Sequence, residues 1–151
     1  INRYGGNRNK INLVGHSAGA HLVAMILTKK YKSISDKFIN SATLISGIFQ
    51  PEITQYISIN SIIKLDKETS KITNVYNYKI NNKTKVLVIV GENEPDPWIN
   101  LSKDITKWLS QNNIKYNFLL AKNLNHFTMV KALARINSEV SKSSIAMVQN
   151  Q

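Results

Sequence analysis

Residues 11–25, INLVGHSAGAHLVAM, decide how the rest of the chain is read. They join an apolar run, the turn Gly15-His16-Ser17-Ala18-Gly19 and a second apolar run. Residues 10–14, KINLV, are short, rich in branched side chains and bounded by glycine, the pattern of a buried strand. From Ser17 to about Lys32 the period changes. Ala20, Val23, Ala24, Ile26 and Leu27 recur at helical spacing, with lysines closing the last turn. A serine between glycines at a strand-to-helix junction has a specific chemical use. The sharp turn holds the backbone under strain and pushes the hydroxyl clear of the sheet. Side chains at positions 15 and 19 would collide with the adjoining strand and helix, which accounts for both glycines. The Ala18 N–H, at the helix start, can donate to an oxygen that develops negative charge. Ser17 is therefore the candidate nucleophile, and Ala18 the candidate oxyanion-hole donor.

Outward from this stretch, residues 42–48, ATLISGI, read as a second buried strand ending at Gly47. Residues 50–82 are polar and irregular, with short helical pieces at PEITQYI and DKETSKITNV. Residues 85–90, KVLVIV, form the clearest strand, ended by Gly91. A helix follows from about Trp98 to Gln111, with Ile99, Leu101, Ile105, Trp108 and Leu109 on its buried stripe. Residues 115–120, KYNFLL, alternate into a last strand, and after the loop AKNLNHF a helix runs from about Thr128 to Ser138. Strands alternating with helices imply crossover connections and a mostly parallel sheet covered by helices on both faces. Sites in such sheets form at the carboxyl ends of the strands, where Gly15–Ser17, Gly47, Gly91–Glu94 and His126 all fall.

Composition narrows the class. The 151 residues are one domain's worth, 42% hydrophobic and 19% charged, as in ordinary globular chains. No apolar run approaches the roughly 20 residues that cross a bilayer, and the first ten, INRYGGNRNK, lack the apolar core of an export signal. Without cysteine there are no disulfides or thiolate metal sites, which fits a reducing compartment and makes the cytoplasm the default location. The net charge of +11 is mostly single, scattered lysines, with arginine only at positions 3, 8 and 135. No basic run is interleaved with stacking aromatics, so neither a nucleic acid nor a membrane surface is the expected partner.

A serine hydroxyl is a weak nucleophile at neutral pH; it needs a histidine to take its proton and a carboxylate to orient that histidine. Three histidines are available. His16 adjoins Ser17, but neighbouring side chains diverge at such a turn. His21 lies one helical turn on and is assigned a structural role. His126 follows the last strand, where an imidazole can reach the serine across the strand ends; it is the candidate base. For the acid, VIVGENEPDPWI offers Glu92, Glu94 and Asp96. Glu94, three residues beyond the strand-ending glycine, is preferred, with Asp96, between two prolines, as the alternative. The chain order serine, acid, histidine is that of the α/β-hydrolases.

The segment GHSAGAHL around Ser17 resembles the nucleophile elbow of the kynurenine formamidases (arylformamidases). SGIFQPE from Ser46 is similar to that family's S-G-[VI]-[FY]-D-L-E, and IKLDKETSKITN to its L-x-M-D-x-E-x-A-x-x-x-S. VGENEPDPW aligns with V-G-x-x-D-S-P-E-F, placing Glu94 on the triad acid, and NHFTMV resembles D-H-F-x-[IL]-[VI], placing His126 on the triad histidine. The likeness spans about residues 10–131. It departs at Glu94, where the family has aspartate, and at Asn125, which replaces the aspartate before the histidine. The resemblance also implies that further oxyanion donors come from an H-G-G-Y/W loop upstream of the elbow, which this sequence does not contain.

The resemblance implies the C-terminal half of an α/β-hydrolase, one incomplete domain over residues 1–151, with an open sheet edge and apolar helix faces left exposed. It implies hydrolysis of the formyl amide of N-formyl-L-kynurenine to kynurenine and formate by Ser17, Glu94 and His126. No cofactor or metal is called for, the partner is a small-molecule substrate, and a homodimer is left open. Losing one oxyanion donor costs on the order of 10²–10³ in turnover, so these residues alone are expected to be nearly inactive. A carboxylesterase of the same fold and a non-catalytic interaction domain are the rival readings.

Overall fold

The computed structural model describes residues 2–28, 38–80 and 84–149. Its frame is a four-stranded parallel sheet in the order β1-β2-β3-β4, formed by Ile11–His16, Ile39–Ile45, Lys85–Gly91 and Tyr116–Ala121. Every strand expected from the sequence is present. β1 runs two residues further than the apolar stretch, because Gly15 and His16 continue the ladder opposite Leu44 and Ile45. β2 begins three residues earlier, at Ile39.

Six α-helices are described: α1 Ala18–Ile26, α2 Asn60–Ile63, α3 Lys67–Thr73, α4 Asp96–Gln111, α5 His126–Leu133 and α6 Glu139–Gln149. The lysines expected to close the first helix lie at 29, 30 and 32, outside the described residues. Alternating residues of β3 divide the core. Val86 and Val88 pack with Val23, Ala24, Ile105 and Leu109 of α1 and α4. Leu87 and Ile89 pack with Met129, Val140 and Met147 of α5 and α6. This is the expected sheet between two helical layers, and residues buried on both faces explain why Val86–Val90 are uniformly apolar.

The segment between the neighbouring strands β2 and β3 runs through a 3-10 helix at Pro51–Tyr56, then α2, α3 and a second 3-10 turn at Val75–Asn77. Val75 N–H donates to Phe49 O at 3.1 Å, and both residues are fully buried, so this segment is tied to the core at its two ends. PEITQYI is helical as expected, but in the tighter 3-10 form.

The C-terminal helix expected over about residues 128–138 is the shorter α5, and α6, which the sequence did not lead one to expect, follows from Glu139. Asn125 starts the first at His126, two residues early. Ser138 ends the connection: its hydroxyl donates to Ala132 O and accepts from Ser141 N–H at 3.0 Å, capping the start of α6. Among the described residues β1 pairs only with β2, and Val14 and Leu22 beside that free edge are exposed, as the sequence led one to expect. No helix among the described residues is long and apolar enough to cross a membrane.

Candidate active site

Ser17 stands between β1 and α1 with φ 55° and ψ −120°, a combination that L-residues rarely adopt. The turn is held from both sides. Ser17 N–H donates to Ile45 O at 2.9 Å, extending the β1–β2 ladder past the strand, while Ala20 and His21 N–H return to Ser17 O at 3.1 and 3.2 Å. The two glycines have different status. A Cβ on Gly15 would lie 2.2 Å from Gly19 O, so strand and helix approach too closely for any side chain there. A Cβ on Gly19 would meet nothing within 4 Å, so the expected collision at that position does not occur in this structure. Ala18 opens α1 and is exposed; a helix's first backbone N–H has no intrahelical acceptor.

The last two strands, β3 and β4, deliver the acid and the base. After β3, Gly91–Glu94 fold into a tight turn in which Glu94 N–H donates to Gly91 O at 3.2 Å. Glu94 is buried, and its Oε2 lies 2.9 Å from His126 Nδ1. A carboxylate oxygen accepts, so Nδ1 carries the proton and Nε2 presents its lone pair. The other oxygen, Oε1, accepts from Gly91 N–H at 2.9 Å and from Ser46 Oγ at 2.5 Å. Asp96, the alternative acid, is exposed in the first turn of α4 and makes no hydrogen bond to His126.

His126 is the first residue of a helix, where the sequence suggested a loop. Asn125 causes this. Its Oδ1 accepts from Phe127 and Thr128 N–H at 3.1 and 3.0 Å, and Thr128 Oγ1 accepts from Asn125 N–H at 2.8 Å, a reciprocal capping box. The substitution of asparagine for aspartate before the histidine therefore keeps a capping side chain. No hydrogen bond joins Ser17 Oγ to His126; such contacts are often loose without substrate and tighten when it binds.

His16, which the sequence did not favour as the base, is tied to His126. Its Nε2 donates to His126 O at 3.0 Å, and its ring packs 4.5 Å from the His126 ring. Burial, with the nearby His126 adding to it, lowers the His16 pKa and favours its neutral form. The residue beside the candidate nucleophile thus braces the candidate base. His21 has the structural part expected of it: Nε2 donates to Thr73 O at 2.8 Å, tying α1 to α3, and burial lowers its pKa. Trp98 and Phe127 stand edge-on to the His126 ring, with centroids 6.1 and 5.8 Å away. Beside Ala18 opens a cavity of about 230 Å³ whose walls include Ile48, Pro51, Ile63 and Leu65, so it is mostly apolar.

The chain's relatives agree with this reading of its fold. It is 28% identical over 145 residues to a kynurenine formamidase of Danio rerio, an alignment covering 90% of this chain and 48% of that protein. It is 26% identical over 144 residues to a kynurenine formamidase of Drosophila melanogaster, covering 89% of this chain and 48% of that one. The resemblance drawn from the elbow is thus matched along most of the sequence. The chain spans about half the length of the curated relatives it matches. An esterase of Pyrobaculum calidifontis superposes with a TM-score of 0.68 at 14% identity over 98% of this chain and 55% of that structure. The parallel sheet and its helical layers are those of an α/β-hydrolase fold. Since a profile of the prolyl oligopeptidase family matches residues 1–143, the chain belongs to that family of hydrolases.

Proposed function

We propose that this chain carries the triad of a serine hydrolase that cleaves the formyl amide of N-formyl-L-kynurenine, releasing formate and kynurenine. The observation that carries the reading is the Glu94–His126 hydrogen bond at the carboxyl end of the sheet, on the side where the strained Ser17 turn lies. In the first step Ser17 Oγ attacks the formyl carbon and His126 Nε2 takes the hydroxyl proton. The carbonyl oxygen becomes an oxyanion, and the Ala18 N–H donates to it, aided by the positive end of the α1 dipole. Glu94 stabilises the imidazolium through Nδ1–H. The imidazolium then protonates the departing aryl nitrogen, the C–N bond breaks and a formyl ester remains on Ser17. Water, deprotonated by His126, attacks that ester, and formate leaves as Ser17 regains its proton.

Two features support a substrate with a small acyl part and a larger apolar remainder. The curated relatives at 26–28% identity are kynurenine formamidases. The mostly apolar cavity of about 230 Å³ begins at Ala18, next to the reacting serine, where an aryl leaving group can sit. The test is turnover by the full-length protein. Wild type should hydrolyse N-formyl-L-kynurenine with higher kcat/KM than p-nitrophenyl acetate, and Ser17→Ala should abolish both activities. Retained formamidase turnover in Ser17→Ala would sink the mechanism, and a preference for the acetate ester would favour a carboxylesterase.

A further inference from the structure

We infer that Ser46 is a positioning residue for the Glu94–His126 pair; this rests on reading that pair as the working acid and base. Ser46 directly follows β2, with no exposed surface and a positive φ of 50°, in the region that favours glycine. Its N–H donates to Ile89 O at 2.8 Å, which fixes its height on the sheet against β3. Its hydroxyl donates to Glu94 Oε1 at 2.5 Å. A glutamate side chain has one more rotatable bond than an aspartate, so its carboxylate needs more restraint to present one chosen oxygen to an imidazole. Here that restraint comes from two donors on Oε1, Ser46 Oγ and Gly91 N–H, which leave Oε2 to His126 Nδ1.

The space around the carboxylate admits this arrangement closely. A Cβ on Gly91 would fall 2.3 Å from Leu124 O and 3.2 Å from Glu94 Oε1, so the turn that supplies the second donor must be glycine. Ser46 does not line the cavity beside Ala18, and its hydroxyl is spent on Glu94, through which it acts on His126. Removing its hydroxyl frees the carboxylate to rotate and weakens the Nδ1 hydrogen bond while leaving the substrate surface intact.

The experiment reads that hydrogen bond without substrate. In the full-length protein the His126 Nδ1–H proton should give a low-field NMR resonance, assigned by its loss in Glu94→Ala. Ser46→Ala should move it upfield or broaden it through solvent exchange. Ser46→Gly, which also relaxes the backbone at φ 50°, should do the same with no fall in folding stability. Turnover should fall about tenfold in kcat, as expected for a lost hydrogen bond to a charged group, with KM unchanged. In a Glu94→Ala background the Ser46→Ala change should cost nothing further. An unchanged resonance in both Ser46 variants would overturn the inference, as would its absence from wild type or an equal loss of kcat in the Glu94→Ala background. A wild-type protein that shows the resonance but does not turn over N-formyl-L-kynurenine refutes the substrate instead.

Discussion

Replacing Ser17 by glycine should stabilise the fold relative to replacing it by alanine, the reverse of the usual order. The reason lies in the backbone. At φ 55° and ψ −120° Ser17 is outside even the small left-handed α region that non-glycine residues visit. A residue held in such a conformation costs about 1–3 kcal/mol. Alanine lacks the hydroxyl but keeps the Cβ, and so keeps the strain. Glycine removes the strain and in exchange loses more freedom on folding, worth about 0.5–1 kcal/mol. At the middle of these ranges the difference leaves glycine ahead by about 1 kcal/mol. At about 2–4 °C per kcal/mol for a domain of this size, the Tm of Ser17→Gly should exceed that of Ser17→Ala by about 2–4 °C. Urea denaturation followed by circular dichroism should give the same ranking in midpoint with an unchanged slope. An alanine variant as stable as the glycine variant, or more so, would show that the turn is not strained, and with it would go the geometric reason for reading Ser17 as an activated nucleophile.

The capping box at α5 makes a second prediction. Asn125→Ala should destabilise the protein by about 0.5–2 kcal/mol, whereas Asn125→Asp should be nearly neutral, since either side chain can accept from the helix N–H groups; equal losses in both would remove the cap as the cause. Burial lowers the pKa of both His16 and His21, so the unfolded chain binds their protons more readily than the folded one. Stability from this source is complete above the ordinary imidazole pKa of about 6.5 and is lost as pH falls through it. Urea midpoints should therefore drop between about pH 7 and pH 5, and the drop should flatten in a His16→Gln/His21→Gln variant; a slope unchanged by both substitutions would assign it to other groups.

Much of the frame is legible from local pattern. β3 carries a run of five apolar residues, Val86–Val90, and burial on both faces permits little else. The Trp98–Gln111 stripe identifies α4 in the same way. Boundaries were less legible. The start of α6 has a local signal, Ser138 followed by Glu139, the chemistry of a helix start, yet the helix expected over 128–138 extends through residues 134–138, which in the structure connect α5 to α6. Asn125 was likewise a capping signal in plain view, and it is why His126 opens a helix.

The sequence by itself determined what chemistry could be assembled: a serine on a glycine-flanked turn, a carboxylate after one strand and a histidine after the next. Short-range sterics suffice for that, because the Gly15 clash and the strand-to-helix change of period involve residues within a few positions of one another. Only the tertiary structure decided which groups meet. Glu94 reaches His126 and Asp96 does not, since three residues of turn after Gly91 fold the first inward and the helix start carries the second out to solvent. His16 braces a backbone 110 residues away, and Ser46 restrains a carboxylate 48 residues on. Neither contact leaves a trace in local pattern, because each is made by parallel strands that set unrelated parts of the chain at the same height on one sheet.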